Sequence, residues 1–119
     1  MSIQVHKALE SQLEAGLHSA VVIKVSLKTK IGRTGAYVAL NLLFSDEHGA
    51  TATVMMPHFT GKIPTVFKVL GKPIEALADI EPEELMALRG CNAQIHVVHR
   101  PSNGKIYANV NSINGTVIA

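Results

Sequence analysis

Lys24, Ser26, Lys28 and Lys30, spaced two apart and followed by Arg33, carry the most pointed chemistry of this chain. At period two they stand on one face of an extended strand, and no acid occurs among residues 24 to 33 to neutralise them. The same alternation sends Tyr37 and Asn41 outward from a second run, Thr51 and Thr53 from a third, and Tyr107, Asn109 and Asn111 from a last one. Arg100 and Lys105 bracket a polar loop before that last run. Cations neutralise phosphates, amides and hydroxyls reach phosphate or base edges, and aromatic faces stack unpaired bases for roughly 1–3 kcal/mol each. The candidate site for a single-stranded nucleic acid is therefore Lys24, Lys28, Lys30, Arg33, Tyr37, Asn41, Thr53, Arg100, Lys105, Tyr107 and Asn109. Tyr37 and Tyr107 are its expected platforms, whereas Phe44, Phe59 and Phe67 fall on or beside apolar faces and are expected in the core.

Other chemistries have less behind them. His96 and His99 are the closest pair among six histidines, but three apart on a strand they point to opposite faces. No Cys or carboxylate pair stands at ligand spacing, so neither a metal nor a cofactor is expected. The lone Cys91 has no second thiol for an intramolecular disulfide and is expected as a small buried residue of a strand. No Ser-His-Asp order, phosphate-loop glycine pattern or dinucleotide fingerprint is present, and the chain is expected not to be an enzyme. Strand lysines also serve as solvated edges that resist aggregation. Two further binding readings therefore stay open: a protein-interaction module on the same scaffold and, less favoured, an oligosaccharide or small-molecule binder.

The elements that must position these residues follow from hydrophobic period. Three alternating blocks predict strands near residues 18–30, 36–45 and 50–56, the last ending at Pro57, which cannot donate to a ladder. In the first block Val21, Ile23, Val25 and Leu27 are expected to face the core, and in the second Val38, Leu40, Leu42 and Phe44. The turn Asp46-Glu47-His48-Gly49 suits a hairpin. From Lys62 to Leu70 the period changes, with Ile63, Val66, Phe67 and Leu70 at helical spacing and Gly71 as a stop. Glu81 to Leu88 reads as a second short helix with Pro82 in its first turn and Gly90 after its end. Alternation then returns, with Cys91, Ala93, Ile95 and Val97 on one side, and after the loop Arg100 to Lys105 with Ile106, Ala108 and Val110. Residues 2–15 suit a short amphipathic helix, with Ser2 as N-cap and Gly16 as stop.

The resulting order is a mainly β chain: a short N-terminal helix, three strands, a helical insertion, then two strands. That is the order of the five-stranded Greek-key OB-fold barrel, with its helix between the third and fourth strands. At 119 residues the chain fits one domain, with residues 1–16 as a helical segment and 18–113 as the barrel. Its 47% hydrophobic and 17% charged content is that of a folded protein rather than a disordered one. No run of about 18 apolar residues suggests a membrane helix, and the N-terminus lacks the pattern of a secretory signal, so a cytoplasmic location is expected. The net charge of +2 decides little, but its distribution does: residues 75–84 hold Glu75, Asp79, Glu81, Glu83 and Glu84 and no base, opposite in sign to residues 24–33.

Across residues 16–113 the chain also resembles phage and prophage single-stranded DNA-binding proteins of the OB-fold type. The pattern is carried by Leu13-Glu14-Ala15-Gly16 leading into the first strand, Lys28-Thr29-Lys30 before Gly32 and Gly35, and Val38-Ala39-Leu40-Asn41-Leu42. It continues through Phe67-Lys68-Val69-Leu70-Gly71, Leu88-Arg89-Gly90 and Gly104-Lys105-Ile106-Tyr107-Ala108-Asn109-Val110. The resemblance implies sequence-tolerant binding of single-stranded DNA in phage replication or recombination, by the face and loops named above. The expected partners are single-stranded DNA, further copies of the chain in a dimer or larger homo-oligomer, and proteins of replication or recombination.

Overall fold

A computed structural model describes residues 12–74 and 80–118. Strands β1 (Gly16–Gly32), β2 (Gly35–Ser45) and β3 (Thr51–Pro57) form an antiparallel meander. A 3-10 turn (His58–Thr60) and helices α1 (Ile63–Val69) and α2 (Pro82–Met86) follow, then β4 (Asn92–Ser102), β5 (Lys105–Ile113) and the two-residue β6 (Thr116–Val117). All six strands belong to one sheet of order β3-β2-β1-β4-β5-β6, which closes into a ring where Thr53 of β3 meets Asn109 of β5 in parallel. The count is six rather than the expected five because Asn114 and Gly115, both at positive φ, reverse the chain and fold Thr116–Val117 back on Ser112–Ile113. Among the described residues no helix is long and apolar enough to cross a membrane.

β1 is shared between two partners, Gly16 to Val21 with β4 and Val21 to Gly32 with β2, and this demands a strand that bends. The bend comes from a bulge: Val22 and Lys24 stand opposite the consecutive residues Phe44 and Leu43, leaving Ile23 as the extra residue. The bulge reverses the side-chain phase, so the expected core pair Val21 and Ile23 is corrected. Val22 is 1% exposed and Ile23 38%, while beyond the bulge Val25 and Leu27 do pack against the core. Lys24, Ser26, Lys28 and Lys30 therefore keep the outward face expected of them.

The interior is filled by Leu40, Leu42 and Phe44 from β2, Val54 and Met56 from β3, Ile95 and Val97 from β4, and Val110 and Ile113 from β5. Ile63, Val66 and Phe67 of α1 close it, as their helical spacing predicts. Asn114 ties that helix down, donating from Nδ2 to the Val69 carbonyl (3.0 Å) and accepting the Gln94 N–H at Oδ1 (2.9 Å). Val38, Ile106 and Cys91 also depart from their expected places. Val38 and Ile106, near the hairpin tips, lie beyond the reach of the core and are exposed. Cys91 is half-buried just before β4, with its thiol donating to the Ala87 carbonyl.

Most of the expected N-terminal helix lies outside the described residues, but its last part, residues 12–15, is not helical. Gln12 makes a parallel bridge with Thr51, and the Leu13 N–H donates to the Thr51 carbonyl at 2.8 Å. The Gln12 side chain then spans to β5, donating to the Ile106 carbonyl (3.1 Å) and accepting the Ala108 N–H (2.7 Å). Leu13 is buried in the core, and His99 Nε2 meets its carbonyl at 2.8 Å. Burial of Leu13 and this side-chain bridging, unavailable to an isolated helix, account for the extended path.

Candidate nucleic-acid interface

Residues paired across neighbouring strands share a face, so the registers assemble the surface directly. One row of partners runs Lys24–Leu43–Thr53–Asn109–Val98 across β1, β2, β3, β5 and β4. Above it lie Ser26–Asn41–Met55, then Lys28–Ala39–Pro57, then Lys30–Tyr37. Lys24, Lys28, Lys30, Tyr37, Asn41, Thr53 and Asn109 thus fall on one outer face. Because β3 and β5 run parallel while β2 opposes β1 and β3, the β1–β2 tip and the β4–β5 tip point toward opposite ends of the ring. Arg33 sits at the first tip. Arg100 pairs with Tyr107 and Lys105 with Ser102 near the second.

Both connections are tighter than flexible loops. Strand pairing runs to Gly32–Gly35 on one side and to Ser102–Lys105 on the other, leaving two residues in each turn. Asn103 and Gly104 have φ of 51° and 77°, the pair of positive values that a type I′ hairpin turn requires and that Asn-Gly adopts with little strain. The cations are thus carried on ordered arms. Among the described residues the close approach of a basic group to a carboxylate is His48 Nε2 to Glu47 Oε1 at 3.3 Å, and none of Lys24, Lys28, Lys30, Arg33, Arg100 and Lys105 is engaged by a described carboxylate.

The polar members differ in availability. Thr53 is exposed, with its hydroxyl donating to the Leu42 carbonyl, and Asn109 Nδ2 donates to the Tyr107 carbonyl. Asn41 is set into the face rather than projecting from it, and its Nδ2 is buried without a partner. Tyr107 is 41% exposed and stands outward, opposite the buried Ala108 and Val110 in strand phase.

The aromatic reading needs correction at Phe59, whose hydrophobicity argues for the core. It lies in the 3-10 turn directly after β3, 68% exposed, while Phe44 and Phe67 are fully buried. Pro57 ends the strand and the turn carries the ring outside the alternation that placed its neighbours, so strand phase does not apply to it. Tyr37 is half-buried and packs its ring edge-to-face on Phe59, with centroids 5.5 Å apart and planes at 68°. On its other side it lies across Gly32, where a Cβ would stand 3.2 Å from the ring. Tyr37 is thus partly used up as a support, and Phe59, with His58 beside it at 5.8 Å, is the more exposed ring of this arm. The signal in the sequence is the proline: an aromatic directly after a strand-ending Pro-His pair has no strand face to obey.

No protein-family model matches the chain, and the search of curated proteins finds no match.

Proposed function

We propose that this protein binds single-stranded DNA without strong sequence preference, along the outer face from the β1–β2 tip to the β4–β5 tip. The carrying observation is that Lys24, Lys28 and Lys30, free of described acidic partners, share one continuous face with Thr53 and Asn109. Cations in such a row neutralise a phosphate backbone by releasing counterions, and Tyr107 offers a base a stacking surface. We read the ring as a five-stranded Greek-key OB-fold barrel with the helices inserted between β3 and β4 and with β6 added on β5. In such barrels oligonucleotides lie on the face of the second and third strands between the two hairpins. A role in phage DNA replication or recombination, assembly into a homo-oligomer and a purely binding activity belong to the same reading.

Fluorescence anisotropy with labelled oligo-dT and with a duplex of equal length, each at two salt concentrations, tests it. Single strands are expected to bind more tightly, with log K falling by about 0.7 per phosphate contact for each unit of log salt. Equal affinity for the duplex points to an unspecific cationic surface. No binding, or binding insensitive to salt, favours a protein or oligosaccharide ligand instead.

A further inference from the structure

We propose that the turn His58–Thr60 is a second base-stacking subsite, with Phe59 as the platform and His58 as the residue that positions it. The inference rests on the single-strand reading above and adds to it a site that strand alternation does not supply.

An isolated exposed aromatic would need no explanation. Here the ring is held in place from several directions. Tyr37 and His58 both contact it at steep interplanar angles, 68° and 75°, so neither ring lies parallel on a Phe59 face in the way a stacked base would. The turn beneath it is stapled: Thr60 Oγ1 donates to the Pro57 carbonyl at 2.9 Å, and the Gly61 N–H, with Gly61 at φ 71°, returns to the His58 carbonyl at 3.2 Å. A platform fixed before binding loses little conformational freedom when a base arrives.

His58 connects this turn to the basic arm. Its Nδ1 lies 3.1 Å from the Val38 nitrogen and 3.2 Å from the Val38 oxygen, one residue past the last pairing of β2 with β3 at Ala39–Pro57. The neutral ring accepts the Val38 N–H or, in its other tautomer, donates to the carbonyl. Either way the turn is tied one residue from Tyr37, the cross-strand partner of Lys30. The occupant follows from charge. No acidic residue occurs from 15 to 45 or from 48 to 74, while Lys28, Lys30, Arg33 and Lys62 do. A flat ring within a wholly cationic stretch suits a group that is planar and joined to an anion, which is a base with its phosphate.

The chain contains no tryptophan, so Phe59→Trp introduces a single reporter at the platform. Oligo-dT saturation, followed in parallel by anisotropy of the labelled strand, is expected to quench its emission. Phe59→Ala is expected to weaken oligo-dT about 5- to 150-fold, the range of one lost stacking contact, with the salt slope unchanged because no charge is removed. In the Phe59→Trp background, His58→Ala is expected to reduce the quenching at saturation. His58→Asn, whose amide can occupy the place of Nδ1, is expected to restore it. If wild type binds oligo-dT with a steep salt slope while Phe59→Ala binds equally well and the tryptophan stays unquenched, the subsite is overturned and the single-strand reading stands. If wild type does not bind oligo-dT, the underlying reading fails. If His58→Ala quenches as fully as its parent, the positioning role is lost and the platform remains. Emission that shifts with protein concentration in the absence of DNA places Phe59 at a contact between copies and overturns the subsite.

Discussion

The two hairpins of the outer face carry similar chemistry on different mechanical supports. Each arm has cations near a two-residue turn and a tyrosine on its outward side. The β1–β2 arm is braced by rings: Tyr37 lies across Gly32 and against Phe59, and His58 ties the turn to Val38. The β4–β5 arm is braced through its backbone, by the Gln12 amide on Ile106 and Ala108. Among the described residues no ring contacts Tyr107. The first arm is thus ordered by contacts within the meander and the turn that follows it, whereas the second depends on a residue 94 positions away in sequence from the carbonyl it holds. Charge density follows the same division, with Lys28, Lys30 and Arg33 on the first arm against Arg100 and Lys105 on the second.

Stripping each arm of charge puts that division under the greatest stress. Replacing Lys28, Lys30 and Arg33 together by Ala is expected to cost about 100-fold in oligo-dT affinity near physiological salt, and the plot of log K against log salt should flatten by about 2, from three contacts at about 0.7 each. The pair Arg100→Ala and Lys105→Ala is expected to flatten it by about 1.4. Salt titrations of both variants rank the arms, and a larger change in the second reverses that ranking.

Tyr107 tests whether an unbraced ring still stacks. Tyr107→Ala is expected to lower single-strand affinity by roughly 1–3 kcal/mol and Tyr107→Phe to leave it nearly unchanged, because the proposed contact uses the ring face and not the hydroxyl. Size-exclusion chromatography coupled to the titration separates this from a contact between copies: smaller species that bind as tightly per protomer assign the ring to an interface.

Gln12→Ala probes the backbone clamp. Losing its amide strips two hydrogen bonds from β5 and is expected to destabilise the fold by about 1–2 kcal/mol in denaturant unfolding. Amide exchange should speed at Ala108 more than at Val38, since the first arm has its own supports. Uniform acceleration at both would show that the arms are not independently held.

A change at the second turn is expected to matter least. Gly104, at φ 77°, meets nothing within 4 Å of an added Cβ, so Gly104→Ala carries only the backbone strain of the left-handed region, about 1 kcal/mol. A thermal melt measures it, and an unchanged melting temperature would mean that the turn relaxes to another form.

Much of the β framework was legible because period-two alternation responds to a single physical demand, one face in the core and one in water. Leu40, Leu42 and Phe44, and likewise Ala93, Ile95 and Val97, obey it from strand to strand. The helix over Ile63–Val69 was legible for the equivalent reason at its own period. Alternation misled at Ile23, where an inserted residue reverses phase without altering composition, and at Ile106 and Val38, where the strands outrun the core. Phe59 escaped because hydrophobicity argues for burial, while its location past the end of β3 removes the neighbours that would bury it.

Spacing along the chain was enough to establish that the protein is mainly β, that Lys24, Lys28 and Lys30 share a strand face, and that both hairpins carry cations near their turns. These are local properties, settled by side-chain period and by the conformations open to each residue. Long-range packing was needed to bend β1 at Ile23 so that it serves two partners, to bring Thr53 to Asn109, and to set Gln12 as a bridge from β3 to β5 in place of ending a helix. The same packing makes Tyr37 the support of a ring and Phe59 the more exposed ring of that arm. Most of these features depend on contacts between residues far apart in sequence, whose geometry exists only once the ring of strands has closed.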